Sequence, residues 1–272
     1  MTVTPLLHKR SDRMRSYEDN WREVLPPKSY VVCRVDGRSF HTLTRHMHKP
    51  FDTGFMQAMD AAAVALCEEV QGCQFAYVQS DEISLLVTDF GSMQELWFGG
   101  VVQKMCSISA AIASGAFRDG LPLQGLLTPR PQFDSRVFTV PTRDEAVNYF
   151  LWRQADCHRN AISMVAEAHF PSKRLLGKTV GDRHAMLAEK GVAYEDYPLG
   201  ARHGRVVVKV AEEAPVIYRR KDTGEEKTEI VTRHRWEAQP APWLDWDEAG
   251  FLDARIPHLE EANKENADAA DV

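Results

Sequence analysis

Three carboxylates follow apolar runs at points where a strand would turn. Asp36 comes directly after the β-branched run 30–35, and Asp81 and Glu82 come after the apolar run 74–79. Carboxylate oxygens are ligands that Mg²⁺ prefers, and two such ions can bind the attacking and leaving oxygens of a phosphoryl or nucleotidyl transfer. Each acidic motif alone is more often an ordinary turn. Brought together by the fold, they predict a metal site for phosphate chemistry.

Basic side chains surround these acids in the sequence, and a phosphate-bearing ligand would need them. They are Arg34, Arg38, Arg45, Lys49 and Lys104. Lysine neutralises phosphate as a point charge and arginine binds it as a planar fork, although any one of these residues is more often a plain surface charge. Without a cysteine pair beside them, His41, His46 and His48 are interpreted as loop or ligand-contact residues rather than zinc ligands.

A polar strip from Trp152 to Asn160 crowds what should be the end of a helix. Two interpretations of this strip stay open. It is either a hydrogen-bond network at a helix C-terminus or a surface that binds substrate.

The elements needed to position the acids follow from the hydrophobic pattern. After the first strand, Asp52 or Thr53 can cap a helix, and two short strands then form a hairpin with the acids at its tip. A small-residue helix, a strand at 135–140 and a helix opened by Thr142 complete the order strand, helix, strand, strand, helix, strand, helix. This is the ferredoxin-like split pattern, in which the first and third strands are antiparallel neighbours. Asp36 is therefore expected beside Asp81 and Glu82.

Beyond residue 171 the pattern weakens. It predicts a helical stretch at 179–190, a strand at 205–210 and a charged hairpin-like segment at 216–233. A Trp/Pro segment at 236–246 then precedes an acidic tail from residue 260, which composition predicts to be disordered.

Composition limits the class of protein. The chain has 272 residues, of which 44% are hydrophobic, and its formal charge is 33 − 39 = −6, so any nucleic-acid partner must be held by local patches and metal rather than by a basic surface. Five cysteines without a C-x-x-C spacing suggest neither a disulfide framework nor a zinc ribbon. No stretch approaches the length of a membrane span, so we expect a soluble cytoplasmic protein without a membrane partner.

Five motifs, in order between about residues 15 and 210, resemble those of the tRNA-histidine guanylyltransferase superfamily, the 3′-to-5′ RNA polymerases. Five ordered motifs are far more specific than any single one. The motifs are Arg34-Val-Asp-Gly-Arg-Ser-Phe-His41, Lys49-Pro50, Gln79-Ser-Asp-Glu82, Phe133-Asp-Ser-Arg-Val137 and Trp152-Arg-Gln-Ala-Asp-Cys-His158.

The resemblance implies an α+β fold: a ferredoxin-like, polymerase-type palm domain, βαββαβ, with an antiparallel sheet, helices on one face and a C-terminal extension. The sequence pattern and the resemblance together predict an N-terminal lead-in at 1–29, the catalytic palm at 30–170, a C-terminal part of the same unit at 171–259 and a disordered tail at 260–272. A homotetramer is also implied.

The resemblance further implies two Mg²⁺ ions held by Asp36, the Gly37 carbonyl and Asp81, with Glu82 as a third catalytic acid. ATP and GTP or another NTP would be substrates, and a tRNA the partner whose activated 5′ end is attacked by the 3′-hydroxyl of the incoming nucleotide. The implied nucleotide contacts are Asp36, Gly37, Arg38, Ser39, Phe40, His41, Lys49, Ser80, Asp81 and Lys104. The polar strip would supply the RNA contacts Arg153, His158 and Asn160.

The sequence departs from the eukaryotic motif at His158-Arg-Asn-Ala-Ile-Ser-Met164, and Val101 replaces an arginine expected one turn before Lys104. The altered histidine motif resembles the "like protein" branch, which repairs truncated tRNA 5′ ends against a template, rather than enzymes that add an untemplated guanylate to histidine tRNA. Val101 bears instead on an expected contact with the triphosphate. Two other functions remain alternatives: a palm-fold nucleotide cyclase, and a non-catalytic RNA-binding relative.

Overall fold

Six antiparallel strands form one sheet in the order β4-β1-β3-β2-β5-β6. The computed structural model describes residues 4–91, 94–121, 130–219, 224–245 and 250–259. The strands are β1 Tyr30–Gly37, β2 Cys73–Gln79, β3 Glu82–Val87, β4 Phe133–Val140, β5 Arg205–Arg219 and β6 Glu226–Pro240. The helices are α1 Thr4–Asp19, α2 Phe40–Leu43, α3 Thr53–Glu69, α4 Val102–Gly120, α5 Arg143–His169, α6 Ser172–Leu175, α7 Val180–Glu189 and α8 Leu199–Arg202.

The predicted βαββαβ order is confirmed, with α3 and α4 as the two crossover helices. β1 lies between β3 and β4, and Asp36 is the register partner of Glu82 on one side and Asp134 on the other. β1 does not end at residue 35 as expected, because its ladder with β4 continues to Gly37. Asp36 therefore sits inside a hydrogen-bonded strand rather than in a loose turn.

Helices cover both faces of the sheet, so the expectation of helices on one face was wrong. α3 and α4 pack on one face, and α5 packs on the other together with apolar residues after β6 such as Leu244 and Leu252. The physical reason lies in β3, whose six residues are all buried. A strand whose side chains are buried on both sides needs cover on both sides.

α5 continues well past the polar strip, which was expected to mark a helix end. No glycine or proline interrupts residues 143–170, and Pro171 follows the helix. The backbone N–H of Glu145 donates to the Thr142 hydroxyl at 3.2 Å, whereas the Glu145 carboxylate accepts a hydrogen bond from Asn148. The strip is thus mid-helix, with one side facing the sheet.

The last two strands are longer than expected. β5 extends to Arg219 rather than residue 210, and β6 includes residues 236–240 of the Trp/Pro segment. β5 joins β2 through residues 205–207, and on this ground we propose that 171–259 belongs to the same unit as 30–170. The predicted tail from residue 260 lies outside the described residues. Among the described helices, none combines the length and apolarity needed to cross a membrane.

Gly204, which precedes β5, is required for close packing of β2 against the start of β5. Its φ is +81°, and a Cβ there would lie 2.4 Å from the hydroxyl oxygen of the fully buried Tyr77. That hydroxyl donates to the His203 carbonyl at 2.7 Å. A side chain at position 204 would therefore break a contact that joins β2 to the start of β5.

We predict that Gly204→Ala lowers the free energy of unfolding by about 3 kcal/mol or more, because positive φ and a steric clash act together. Gly191→Ala is the matched control. Gly191 also has a positive φ, +77°, but nothing lies within 4 Å of the position that a Cβ would take, so its cost should be about 1 kcal/mol. Urea denaturation measures both. Equal losses would show that the Tyr77 contact does not constrain this turn.

Candidate active site

The three acids converge where β1 meets the β2–β3 turn. The backbone N–H of Gly37 donates to the Asp81 carbonyl at 2.9 Å, and Asp36 pairs in register with Glu82. Ser80 adopts a positive φ of 44°, which closes the tight hairpin. Antiparallel pairing thus brings together residues that are 45 positions apart in the chain, since 81 − 36 = 45.

Burial and neighbouring carboxylates disfavour ionisation of Asp36 and Asp81. Burial, with smaller contributions from the carboxylates of Asp81, Glu82 and Asp134, raises the pKa of Asp36 to about 6, against the opposing charge of Arg34. Burial also raises the pKa of Asp81, with a further contribution from Glu82. The pair Asp36 and Asp81 therefore lacks enough positive charge from the protein itself.

Glu82 is compensated in a way that the other two acids are not. Arg153 of α5 binds it with a two-pronged ion pair, Nε to Oε1 and Nη2 to Oε2, each at 2.8 Å. The Ser84 hydroxyl donates to Oε1 at 3.2 Å, and the Arg34 Nε lies 3.7 Å from Oε2. Glu82 is only 7% exposed. Its carboxylate is held by protein donors, and we propose on this ground that it is a positioning group rather than a free metal ligand.

Arg153 was expected to contact RNA, and the structure corrects this. The side chain is buried, because the guanidinium binds Glu82 and also donates to Asp156 at 2.9 Å. Asp156 in turn accepts from Arg159 at 2.8 Å. Of the open interpretations of the strip, a hydrogen-bond network describes its inner side. His158 is half-buried and Asn160 is exposed, so these two remain proposed RNA contacts.

A cavity of about 260 Å³ opens next to the acid pair. It brings together several of the proposed nucleotide contacts with Asn160 of α5. These lining residues are Phe40, His41, Lys49, Ser80, Asp81 and Asn160. His41 also faces Asp81, since its charge opposes the upward shift in the pKa of that acid.

Other proposed nucleotide contacts lie outside the lining of this cavity. Lys104 is exposed on the first turn of α4, with its Nζ 6.0 Å from the centre of the Phe98 ring. Arg38 donates to the Gln132 side chain at 3.2 Å, and Ser39 has a positive φ of 57°. Phe40 is mainly a core residue, which anchors the loop after β1.

One charged pair in the cavity wall was missed by the sequence analysis. Arg205, only 6% exposed, forms an ion pair with Asp60 of α3. Burial raises the pKa of Asp60, and the Arg205 charge opposes that rise. A single arginine after a glycine carries no signal in the sequence that would separate this buried pair from surface charge.

The donor set suits a hard cation. Two carboxylates whose negative charge is not fully compensated lie beside Gly37. The Phe40 ring packs closely against this glycine, since a Cβ at Gly37 would lie 2.6 Å from the ring. Within the described ranges, no three His, Cys, Asp or Glu side chains form a metal cluster. A site of two carboxylates, a carbonyl and remaining positions for water and phosphate is what Mg²⁺ takes, so the residues fit the ion.

Comparison with known proteins decides the family. A solved bacterial tRNA(His) guanylyltransferase (Thg1)-like protein in complex with ATP is similar to this chain with a TM-score of 0.77 and 31% identity, covering 90% of this chain and 98% of that one. The chain belongs to the tRNAHis guanylyltransferase family. A similar bacterial protein in complex with GTP gives a TM-score of 0.67 at 30% identity, covering 86% and 93%. The family resemblance and the palm-like α+β fold are thereby confirmed.

The sequence model of the tRNAHis guanylyltransferase (Thg1) family matches residues 11–141, which hold all three acids. The tRNA(His) guanylyltransferase 2 of Arabidopsis thaliana is 32% identical over 151 residues, or 55% of this chain. This chain spans only 28% of that relative's length.

We predict that Asp36→Asn stabilises the metal-free protein at pH 7.5 but not at pH 4. The folded-state pKa of about 6 lies above the ordinary value of 3.8. Ionisation of Asp36 therefore lowers the free energy of unfolding between about pH 4 and pH 6, and the full loss is present above pH 6. After allowance for solvent screening, the gain should be about 1–2 kcal/mol. Denaturation in EDTA measures it at both pH values. A variant no more stable at pH 7.5 would contradict the crowding of charge at this position.

A second prediction concerns the pair of Glu82 and Arg153. Arg153→Met leaves a buried carboxylate without its partner and should cost about 3–5 kcal/mol of unfolding free energy. The double variant Glu82→Gln, Arg153→Met removes both charges and should recover much of that loss. Urea denaturation of both proteins compares them. Equal stability of Arg153→Met and the unmodified protein would show that the pair does not hold Glu82.

Proposed function

We propose that this protein is a magnesium-dependent nucleotidyltransferase that adds nucleotides in the 3′-to-5′ direction to activated tRNA 5′ ends. The biological task would be tRNA 5′-end repair, guanylate addition to histidine tRNA, or both. The observation that carries the proposal is the pair Asp36 and Asp81, half-buried and short of positive charge, beside a cavity lined by Lys49. The ATP and GTP complexes of the bacterial relatives support nucleotides as substrates.

Asp36, Asp81 and the Gly37 carbonyl would hold two Mg²⁺ ions. When bound, the ions supply charge neutralisation for the attacking and leaving oxygens. This role also explains why the fold tolerates the acid pair, since a protein that only bound RNA would gain nothing from carboxylates that repel phosphate.

The chain's own side chains position the nucleotide. Lys49 places a positive charge in the cavity, where it neutralises phosphate oxygens, and His41 lines the same cavity as Asp81. The proposed reaction forms a bond between the 3′-oxygen of the incoming nucleotide and the 5′ α-phosphorus of the RNA. It breaks the bond to pyrophosphate, or to AMP where the end has been adenylylated. Holding the two oxygens in line is the main resource for such chemistry.

The homotetramer and the cytoplasmic location implied by the resemblance stay predictions. An activity assay must distinguish the proposed enzyme from the two alternatives, a nucleotide cyclase and a non-catalytic RNA-binding protein. A cyclase would convert NTP without RNA, and a binder would retain tRNA without consuming NTP.

We predict that Asp81→Asn lowers the rate of nucleotide addition to a 5′-truncated tRNA by roughly a thousandfold or more. The substitution removes a negatively charged ligand from the metal site. Asp134→Asn is the matched control. Its carboxylate is exposed and lies in register with Asp36, so the rate should stay within about twofold. Labelled NTP and product length measure the reaction. Near-normal turnover by Asp81→Asn would contradict the metal assignment.

A further prediction follows from the altered motif at His158 to Met164. We expect addition to depend on pairing between the incoming nucleotide and the opposite acceptor strand, because pairing positions the attacking 3′-hydroxyl. Two activated tRNAs that differ only at the opposing base should give kcat/KM values for G addition that differ by roughly tenfold or more. Equal rates would place the protein with the untemplated histidine-tRNA enzymes.

A further inference from the structure

An exposed tryptophan stands in an unusually fixed position outside the cavity. Trp243, in the segment after β6, is 55% exposed. An aromatic ring of this size at the surface forgoes the hydrophobic stabilisation that burial would give. The exposed part of the ring is therefore available for contact with a binding partner, because the described part of the chain does not cover it.

The backbone on both sides of this ring is held by one buried residue. Gln154 of α5, only 2% exposed, donates to the Pro242 carbonyl at 2.7 Å and accepts from the Leu244 N–H at 2.7 Å. The same side chain donates to the His203 carbonyl at 3.1 Å. Three hydrogen bonds from a buried amide thus fix the chain around Trp243, so the exposed ring is presented at a defined position.

Two histidines meet the Trp243 ring edge to face. The ring centres of His203 and His158 lie 5.3 Å and 5.9 Å from that of Trp243, at interplanar angles of 70° and 88°. Such contacts brace a ring. More than half of the Trp243 surface nevertheless stays exposed.

The ring lies next to the nucleotide cavity. Cys157 and Asn160, on the turn of α5 that carries His158, line the cavity, as do Ala201 and Arg205 on either side of His203. A single strand of RNA that runs along this side of the cavity would therefore pass the exposed Trp243 ring.

We propose that Trp243 is a stacking platform for an unpaired nucleobase of the RNA whose 5′ end meets the nucleotide held in the cavity. This inference rests on the proposed function and adds a binding residue to it. Bases stack on exposed aromatic rings whatever their sequence, and a fixed ring loses little entropy when it binds. In a tRNA, the unpaired stretch closest to the 5′ end is the 3′-terminal single strand, and this is the occupant that we assign to the platform.

The test measures the Kd of fluorescently labelled tRNA in two forms, one with its unpaired 3′ nucleotides and one trimmed back to the paired stem. Trp243→Ala should weaken binding of the untrimmed RNA about tenfold and leave binding of the trimmed RNA unchanged. Trp243→Phe, which retains an aromatic face, should recover most of the affinity. Trp21→Ala removes a tryptophan that is 78% exposed elsewhere and should change neither Kd.

Four results would overturn the platform. Trp243→Ala could bind both RNAs as the unmodified protein does, or lose affinity for both equally. A change in molar mass by light scattering for Trp243→Ala would instead make the ring a contact between copies of the chain. Failure of the unmodified protein to bind tRNA would overturn the proposed function as well, whereas normal nucleotide addition with an unchanged Kd in Trp243→Ala overturns the platform alone.

Discussion

Crowding of negative charge at the end of the central strands is the constraint on which this structure depends. Asp36, Asp81 and Glu82 are brought together by the β1–β3 register, and this closeness makes the ionisation of Asp36 and Asp81 less favourable. The protein neutralises one of the three with Arg153. It leaves the other two beside the cavity, where a divalent cation bound with a phosphate-bearing ligand would neutralise their negative charge.

The architecture serves this division of charge. β1 must lie between β3 and β4 for Asp36 to sit inside a rigid ladder, and the covering of the second sheet face by α5 brings Arg153 down onto Glu82. The same helix then exposes Asn160 to the cavity and uses Gln154 to fix the chain around Trp243. One helix therefore links the acid site, the cavity wall and the surface beyond it.

Much of the site could be predicted from sequence because its signals are local. The strand order placed Asp36 beside Glu82, and the Asp52 cap of α3 follows from capping chemistry. The roles of Arg153 and Arg205 could not be predicted. A charged residue on a helix or strand is expected to be solvent-exposed unless its partner is known, and the partners Glu82 and Asp60 lie 71 and 145 residues away.

The most direct measurement is the binding of Mn²⁺, as a paramagnetic stand-in for Mg²⁺, followed by electron paramagnetic resonance in the presence of GTP. The account predicts that the unmodified protein and Asp134→Asn bind the ion alike, and that Asp36→Asn and Asp81→Asn each weaken binding by roughly tenfold or more. Binding by Asp36→Asn and Asp81→Asn at the strength of the unmodified protein would contradict the claim that this acid pair is the metal site.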